Sequence, residues 1–170
     1  MRRSNLSPII FICLLMTGCG FHLRQPAQLP ASMQRTYIAD TGNNTELVRV
    51  LSRNLDTPTT SVTNDATTAT AVLNILNSKS SQRVLSVSNT GQPLEYQVAY
   101  QVQFSLVTAG GKTLIAPQKL TLTRNYNYST TTIIGDTEQA DLLYKALQDN
   151  MAELIMLRID AANRDATGKH

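Results

Sequence analysis

One cysteine stands in a setting where its thiol could be chemically modified. Cys19 follows the small residues Thr17 and Gly18, which end a short apolar run from Ile9 to Met16, and two arginines precede that run. A positive head, an apolar core and small residues before a cut site are the parts of a secretory signal peptide. The apolar run is far shorter than the roughly 20 residues that span a bilayer, so we expect a removed signal and no permanent anchor.

The cysteine directly after the small residues distinguishes this segment from an ordinary signal peptide. Leu15-Met16-Thr17-Gly18-Cys19 resembles the lipobox of bacterial lipoproteins, which implies a cut before Cys19, an S-diacylglycerol on its thiol and an N-palmitoyl group. Several acyl chains anchor a protein firmly, whereas one binds a membrane only marginally. Gly20 is not the aspartate that typically retains lipoproteins at the inner membrane, so the motif implies the periplasmic side of the outer membrane. The alternative is an ordinary signal peptide with an unrelated cysteine.

The rest of the chain offers little for catalysis or metal binding. His22 lies three residues from Cys19 and His170 is the last residue, so neither suits a cleft in a domain. With Cys13 removed and Cys19 lipidated, no cysteine remains for a disulfide, a metal or a nucleophile. The segment Gly110-Gly111-Lys112 indicates a hairpin turn, since the rest of a phosphate-binding loop is missing. We predict no enzymatic activity, no metal site and no cofactor beyond the lipid.

Composition argues against a nucleic-acid partner. The 170-residue precursor carries a charge of +3, and loss of the two signal-peptide arginines leaves 3 − 2 = +1. No run of Lys or Arg follows the signal, as a nucleic-acid binder would need. Charged residues make up 16 %, below the roughly 25 % of typical domains, and Thr, Ser, Asn and Gln take their place. Such a surface suits contact with a polar cavity wall, among other roles.

Four cationic residues lie in or beside the predicted strands. Arg and Lys are the natural partners of phosphate groups, so these residues could bind a phosphorylated lipid. The competing interpretation, which we favour for each residue, is that Arg124 snorkels and the other three are solvated. The four candidates are Arg83, Lys112, Lys119 and Arg124.

These residues must be positioned by a small α+β domain. Leu94 to Val107 alternates apolar and polar residues almost perfectly, which predicts a strand with one buried face. Asn43 and Glu46 form a capping-box pattern before an amphipathic helix that ends at Asp56. A second helix is predicted from Asp136 to about Ala162. Further strands are predicted over Arg35–Asp40, Ala71–Leu76, Gln82–Ser88 and Lys119–Tyr128, with a short one around Val62 in the threonine-rich loop and turns at Asn89–Gln92 and Ala109–Lys112.

The economical arrangement of these elements is a two-layer sandwich. We predict a mostly antiparallel sheet of about four strands, covered on one face by two helices. The domain organisation follows: a lipoprotein signal peptide over 1–18, a lipidated tether over 19–33, a single α+β domain over 34–163 and a disordered tail over 164–170.

The start of the mature chain carries a specific resemblance. Cys19-Gly20-Phe21-His22-Leu23-Arg24 is similar to the signature of the LPS-assembly lipoproteins, the LptE or rare lipoprotein B family. The similarity continues through Leu29–Asp40, Leu47–Leu55, the hairpin before Glu95-Tyr96 and Glu138-Gln139. The family fold, a sheet covered by two helices, agrees with the prediction made from the residues.

The resemblance implies a structural and transport role. Family members sit in the lumen of the outer-membrane β-barrel LptD, help it to assemble and form with it the translocon that inserts lipopolysaccharide into the outer leaflet. Conditional on the family, we expect the loops around Asn89–Pro93 and Thr108–Lys112 and the polar strand faces to contact the barrel, and the four cations become candidates for lipopolysaccharide binding. The alternatives are an outer-membrane lipoprotein subunit of another transport or secretion complex, and a periplasmic hydrolase.

Overall fold

A computed structural model describes residues 29–42, 44–128 and 135–168. Residues 1–28 lie outside this part of the chain, and with them the predicted signal peptide, Cys19 and the six-residue signature. A 3-10 turn over Ala31–Met33 precedes the main elements. These are β1 (Arg35–Asp40), α1 (Thr45–Leu55), β2 (Ser61–Thr63), β3 (Ala71–Val87), β4 (Pro93–Thr108), β5 (Thr113–Asn127) and α2 (Gly135–Thr167).

The strands form one mixed sheet in the order β2-β1-β3-β4-β5. The long strands β3, β4 and β5 pair antiparallel, whereas β1 lies parallel to both of its neighbours. This confirms the predicted α+β class, with five strands where about four were expected. The additional strand is β2, which confirms the short strand predicted around Val62 but is too short to be counted from a periodic pattern.

The core lies between one sheet face and the two helices. Alternate residues of β4 from Val98 to Leu106 are buried, and the register places Phe104 opposite Ile75 of β3 and Val102 opposite Leu120 of β5. Leu51 of α1 and Ile155 of α2 are both fully buried in the same cluster. Burying side chains of this size stabilises the fold by about 1.5–3 kcal/mol each, so the shared core holds both helices on the same sheet face.

A bulge divides β3 into two parts with different surroundings. The register with β4 shifts by one residue between Ile75 and Asn77. Before the shift, Leu73 and Ile75 point into the core; after it, Ser78 and Gln82 occupy the helix-side positions, opposite Val102 and Val98. The segment 78–81, which the sequence suggested as an interruption, is therefore part of a continuous strand.

The start of α1 differs from the predicted capping box. Asn43 lies outside the described residues, and the helix begins at Thr45 with no side-chain hydrogen bond from its N-cap residue, Asn44. Glu46 pairs with Arg49 instead of reaching back to the cap. The carboxylate of Asp40 takes over this role, since it accepts hydrogen bonds from the backbone amides of residue 42 at 3.1 Å and of Asn44 at 2.5 Å.

Both ends of the domain extend further than predicted. Met33, which the sequence placed in the tether, is fully buried in the core. At the other end, α2 continues to Thr167, so residues 164–167 are helical and do not belong to a disordered tail. An ion pair between Arg164 and Asp160 at 3.0 Å supports this last turn, as does a 2.8 Å hydrogen bond from the Thr167 hydroxyl to the carbonyl of Asn163. No helix in the described residues is long and apolar enough to cross a membrane.

Candidate functional surface

The helices leave one face of the long strands uncovered, and we call it the outer face. Its residues alternate along β3, β4 and β5 with those that point into the core. Most are uncharged and polar, which is unusual for a surface where Lys and Glu are normally common. Beyond the bulge, the outer face consists of Asn77, Lys79, Ser81 and Arg83 on β3, Glu95, Gln97, Ala99, Gln101 and Gln103 on β4, and Lys119, Thr121, Thr123, Asn125 and Asn127 on β5, and before the bulge it continues with Val72, Asn74, Ser105 and Val107.

A chain of side-chain hydrogen bonds crosses the outer face near the β3–β4 turn. The Arg83 Nε–H donates to Gln97 Oε1 at 3.0 Å, and Gln97 Nε2 donates to Asn125 Oδ1 at 3.0 Å. Asn125 Nδ2 in turn donates to Glu95 Oε1 at 3.4 Å. Because these groups already form hydrogen bonds with one another, a partner that covers them leaves fewer polar atoms without a hydrogen bond. The desolvation cost of docking is therefore lower.

The structure separates the four candidate cations. Arg83 and Lys119 share the outer face, but they pair with Gln97 and Gln103, six positions apart on β4, which corresponds to about 20 Å. Arg124 lies opposite Val98 on the helix side of the sheet, where the sequence had placed it, and is exposed. The four residues therefore do not converge on one site.

Lys112 lies apart from the other three cations. It occupies the exposed turn between β4 and β5, beside Ile159 and Ala162 near the carboxyl end of α2. A cation near a helix carboxyl end is favoured by the helix dipole, whether or not it binds a ligand.

The two turns expected to contact a barrel lie at opposite ends of the sheet. They flank the 16 residues of β4, which span about 50 Å when extended. The turn after β3 contains Gly91 with φ 79° and the turn after β4 contains Gly111 with φ 80°. A positive φ favours glycine, in agreement with the turn positions that the sequence predicted.

The sequence missed Lys79 as an outer-face cation. Simple alternation from Ile75 would put residues 77, 79, 81 and 83 on the core side, and the bulge moves them to the outer face. Lys79 therefore lies opposite Gln101, with Thr121 as the next neighbour across the sheet. Nothing in the local sequence marks the position of the bulge.

No group of three or more His, Cys, Asp or Glu side chains in the described part of the chain could hold a metal ion. One polar atom is buried without a hydrogen bond among these residues, the hydroxyl of Tyr100. Burial raises the pKa of Tyr100, while the nearby side chains of Ser78 and Gln148 act in the opposite direction. This hydroxyl lies in the core and does not reach the outer face.

Comparison with known proteins identifies the family. A family model described as LptE, lipopolysaccharide-assembly, matches residues 33–159, which is most of the chain. The chain belongs to the LptE family. The match begins at Met33, which is the first fully buried residue in the part of the chain that the structure describes. It includes every strand, α1 and all of α2 except the last turns.

Curated relatives carry the same family name. The LPS-assembly lipoprotein LptE of Pectobacterium atrosepticum is 23 % identical over 165 residues, which cover 96 % of this chain and 89 % of that protein. The LPS-assembly lipoprotein LptE of Yersinia pestis is 25 % identical over 175 aligned positions, covering 100 % of this chain and 84 % of the relative. Each alignment covers at least 84 % of the relative and at least 96 % of this chain.

Solved structures show the same fold. The solution structure of lipoprotein B from Nitrosomonas europaea has a TM-score of 0.70 at 26 % identity, covering 86 % of this chain and 96 % of that one. The crystal structure of rare lipoprotein B from Shewanella oneidensis has a TM-score of 0.65 at 21 % identity, with coverage of 80 % and 99 %. The family that the resemblance implied is thus confirmed, and membership of LptE supports a role in lipopolysaccharide transport.

Proposed function

We propose that the protein is an outer-membrane lipoprotein, anchored through Cys19, that plugs the lumen of the LptD β-barrel and helps it to assemble. Together the two proteins form the translocon that inserts lipopolysaccharide into the outer leaflet. The observation that carries the proposal is the uncovered, mostly uncharged polar face of the three long strands in a chain of the LptE family. In this role the protein has no enzymatic activity.

The physical chemistry of the outer face fits the wall of a wide barrel. The interior of such barrels is polar, so a plug needs many hydrogen-bonding groups and few unpaired charges. The described outer face carries three cations, Lys79, Arg83 and Lys119, and one acid, Glu95. Gln and Asn side chains can both donate and accept hydrogen bonds, and they can therefore match a polar wall without the cost of burying a charge.

Site-specific photo-crosslinking in the outer membrane tests the docking surface. A photoreactive residue at Gln101, in the middle of β4, and another at Thr123, exposed on β5, both lie on the outer face. We expect each to crosslink to a protein of the size of LptD. Glu153, exposed on α2, is the matched position on the helical layer and reports whether the barrel also surrounds the helices.

Two results would contradict the proposal. One is crosslinking from Glu153 with none from Gln101 and Thr123, which would place the partner on the wrong face. The other is capture of a different membrane complex by all three positions, which would support the alternative of an accessory subunit in another transport or secretion machine. Depletion of the protein provides a second check, since we expect LptD assembly to fail and surface lipopolysaccharide to fall.

We also propose that cations of this chain bind the phosphate groups of lipopolysaccharide. The candidate cations lie at separate places on the domain, so we expect each to contribute independently to the affinity for lipopolysaccharide. They are Arg83, Lys112, Lys119 and Arg124. Single Ala substitutions are therefore compared by binding of purified lipopolysaccharide, with an Ala substitution of the helical residue Arg158 as the control. Unchanged affinity in all four variants would refute this part of the proposal.

A further inference from the structure

A cleft on the helix side of the sheet, at the end near the β3–β4 turn, is lined mainly by tyrosines. It lies between the amino-terminal part of α2 and the ends of β4 and β5, and its volume is about 230 Å³. The tyrosines come from three places in the sequence: Tyr96 on β4, Tyr126 and Tyr128 at the end of β5, and Tyr144 on α2. The cleft lies at the opposite end of the domain from Lys112 and on the opposite side of the sheet from the outer face.

The rings are arranged as a platform. Tyr96 and Tyr126 stack with their centroids 5.5 Å apart and their planes 21° from parallel, and Tyr128 meets Tyr96 edge-on at 5.6 Å. Gln82 Nε2 donates a hydrogen bond to the Tyr126 hydroxyl at 2.8 Å, which fixes the buried ring of the pair. The remaining rings, Tyr96, Tyr128 and Tyr144, are only half-buried.

The polar groups of the cleft are hydroxyls, an amide and one carboxylate. Asp141 is exposed at the rim beside Tyr144. Burial raises the pKa of Tyr144, and the negative charge of Asp141 raises it further, so this hydroxyl remains a hydrogen-bond donor well above neutral pH. None of the described residues that line the cleft is a Lys or an Arg, so these residues offer phosphate and carboxylate ligands no cationic partner.

The arrangement also disfavours a quaternary ammonium ligand. An aromatic cage needs several ring faces directed at one central cation, but Tyr96 and Tyr126 use one face each on the other. A volume of 230 Å³ is below the roughly 300–1,000 Å³ of sites for drug-sized ligands. The cleft therefore suits one small uncharged ring that combines an apolar face with hydrogen-bonding edges.

We propose that the tyrosine cleft binds a single neutral sugar ring. The C–H face of a pyranose packs on an aromatic ring, while its hydroxyls meet the tyrosine hydroxyls, the Gln82 amide and the Asp141 carboxylate. The inference rests on the proposed function for the source of the sugar, which is then the saccharide part of lipopolysaccharide. The acyl chains and the phosphate groups are not bound there.

Calorimetric titration of the lipidated full-length mature chain in detergent tests the assignment. The probes are galactose, the polysaccharide released from lipopolysaccharide by mild acid, lipid A and tetramethylammonium. We expect the polysaccharide to bind. Competition by galactose would identify a general monosaccharide site, and binding of the polysaccharide alone would identify lipopolysaccharide as the source. Binding of only lipid A or only tetramethylammonium would overturn the proposal.

Variants locate the binding. Tyr128→Ala and Tyr144→Ala should each weaken polysaccharide binding about three- to tenfold, the range expected for loss of one aromatic contact. Arg158→Ala, which replaces an exposed residue of α2 at the opposite end of the domain, should leave it unchanged, and equal affinity in all variants would overturn the inference. If an alanine variant loses its cooperative melting transition, NMR chemical-shift mapping on the unaltered protein replaces that variant as the test. In a titration with the saccharide, the resonances of Tyr128 and Tyr144 must shift at lower saccharide concentrations than those of residues in the β4–β5 turn.

The same variants separate this inference from the proposed function. If Tyr128→Ala still co-purifies with the barrel but has lost saccharide affinity, both stand. If it co-purifies with the barrel and its saccharide affinity is unchanged, the cleft assignment alone fails. If the unaltered protein binds saccharide at the cleft but never co-purifies with a barrel, the proposed function alone fails.

Discussion

Replacement of Asp40 should show that a carboxylate at the end of β1 holds the start of α1. Asp40 accepts hydrogen bonds from the backbone amides of residue 42 and Asn44, and from Asn44 Nδ2 at 2.7 Å. The Asn44 Oδ1 atom in turn accepts a hydrogen bond from the hydroxyl of Ser78 on β3. The carboxylate therefore links the helix start to the long strand just beyond its bulge.

The expected cost follows from these contacts. Loss of a side-chain cap at a helix amino terminus costs about 0.5–2 kcal/mol, and hydrogen bonds to a charged group contribute about 1.5–3 kcal/mol where solvent is excluded. Asp40 is partly exposed, so screening by water reduces the second figure. We expect Asp40→Asn to lower the free energy of unfolding by about 1–2 kcal/mol, and the Tm by about 2–8 °C for a domain of this size.

The destabilisation should depend on pH. Burial raises the pKa of Asp40, but the hydrogen bonds from the Asn44 side chain and from the amides of Asn44 and residue 42 outweigh it, and the pKa lies below its ordinary value of 3.8. A carboxyl whose pKa is lower in the folded state stabilises the protein above its unfolded pKa and loses this contribution as the pH falls through its folded pKa. The difference between the protein and Asp40→Asn should therefore be full at neutral pH and shrink below about pH 4.

Thermal and urea unfolding of the lipidated protein in detergent, at several pH values, measure this difference. Asp165→Asn, which replaces an exposed aspartate on α2, is the control and should change stability by less than about 0.5 kcal/mol. A double-mutant cycle with Asn44→Ala should give a coupling of about 0.5–1.5 kcal/mol. A cost of Asp40→Asn that stays constant from neutral pH to pH 3, with no coupling to Asn44, would refute the reasoning.

Three further predictions concern stability and are checked by the same unfolding measurements. Phe104→Ala, at a fully buried position of β4, should cost about 3–5 kcal/mol; a cost below about 1 kcal/mol would contradict the described core. Gly111→Ala should cost about 1 kcal/mol because its φ is 80°, whereas Gly110→Ala in the same turn should be nearly neutral; equal effects would argue against the turn geometry. Tyr100→Phe should be neutral or stabilising by up to about 1 kcal/mol, since the buried hydroxyl that it removes lacks a hydrogen bond of good geometry among the described residues; a clear loss of stability would show that Ser78 or Gln148, which lie near this hydroxyl, bonds to it.

Much of the fold could be predicted from local patterns. The alternation from Leu94 to Val107 predicted the bounds of β4 to within one residue at each end. A strand with one buried face has apolar residues at every second position, and this pattern is visible in the sequence. The glycines of the two turns were recognisable because their backbone needs a positive φ. The helix boundaries were less accurate, since the helix start at Thr45 depends on a carboxylate from β1 that no local motif reveals.

The candidate surface could be predicted only in part. Periodicity assigned the polar residues of β4 and β5 to one face, and the register confirms that assignment. It could not assign Lys79 and Arg83, because the bulge after Ile75 reverses the alternation in the second half of β3. The predictions for Cys19 rest on the sequence alone.

The sequence by itself determined the family signature, the candidate lipid attachment at Cys19 and the two-layer class, because these depend on local motifs and hydrophobic periods. Only the tertiary structure decided which polar side chains lie together. It separates the four cations and joins Arg83 to Asn125 through Gln97. It also collects Tyr96, Tyr126, Tyr128 and Tyr144 into one cleft. Such neighbours come from strand register, a bulge and the packing of α2, which are set by contacts between residues far apart in the chain.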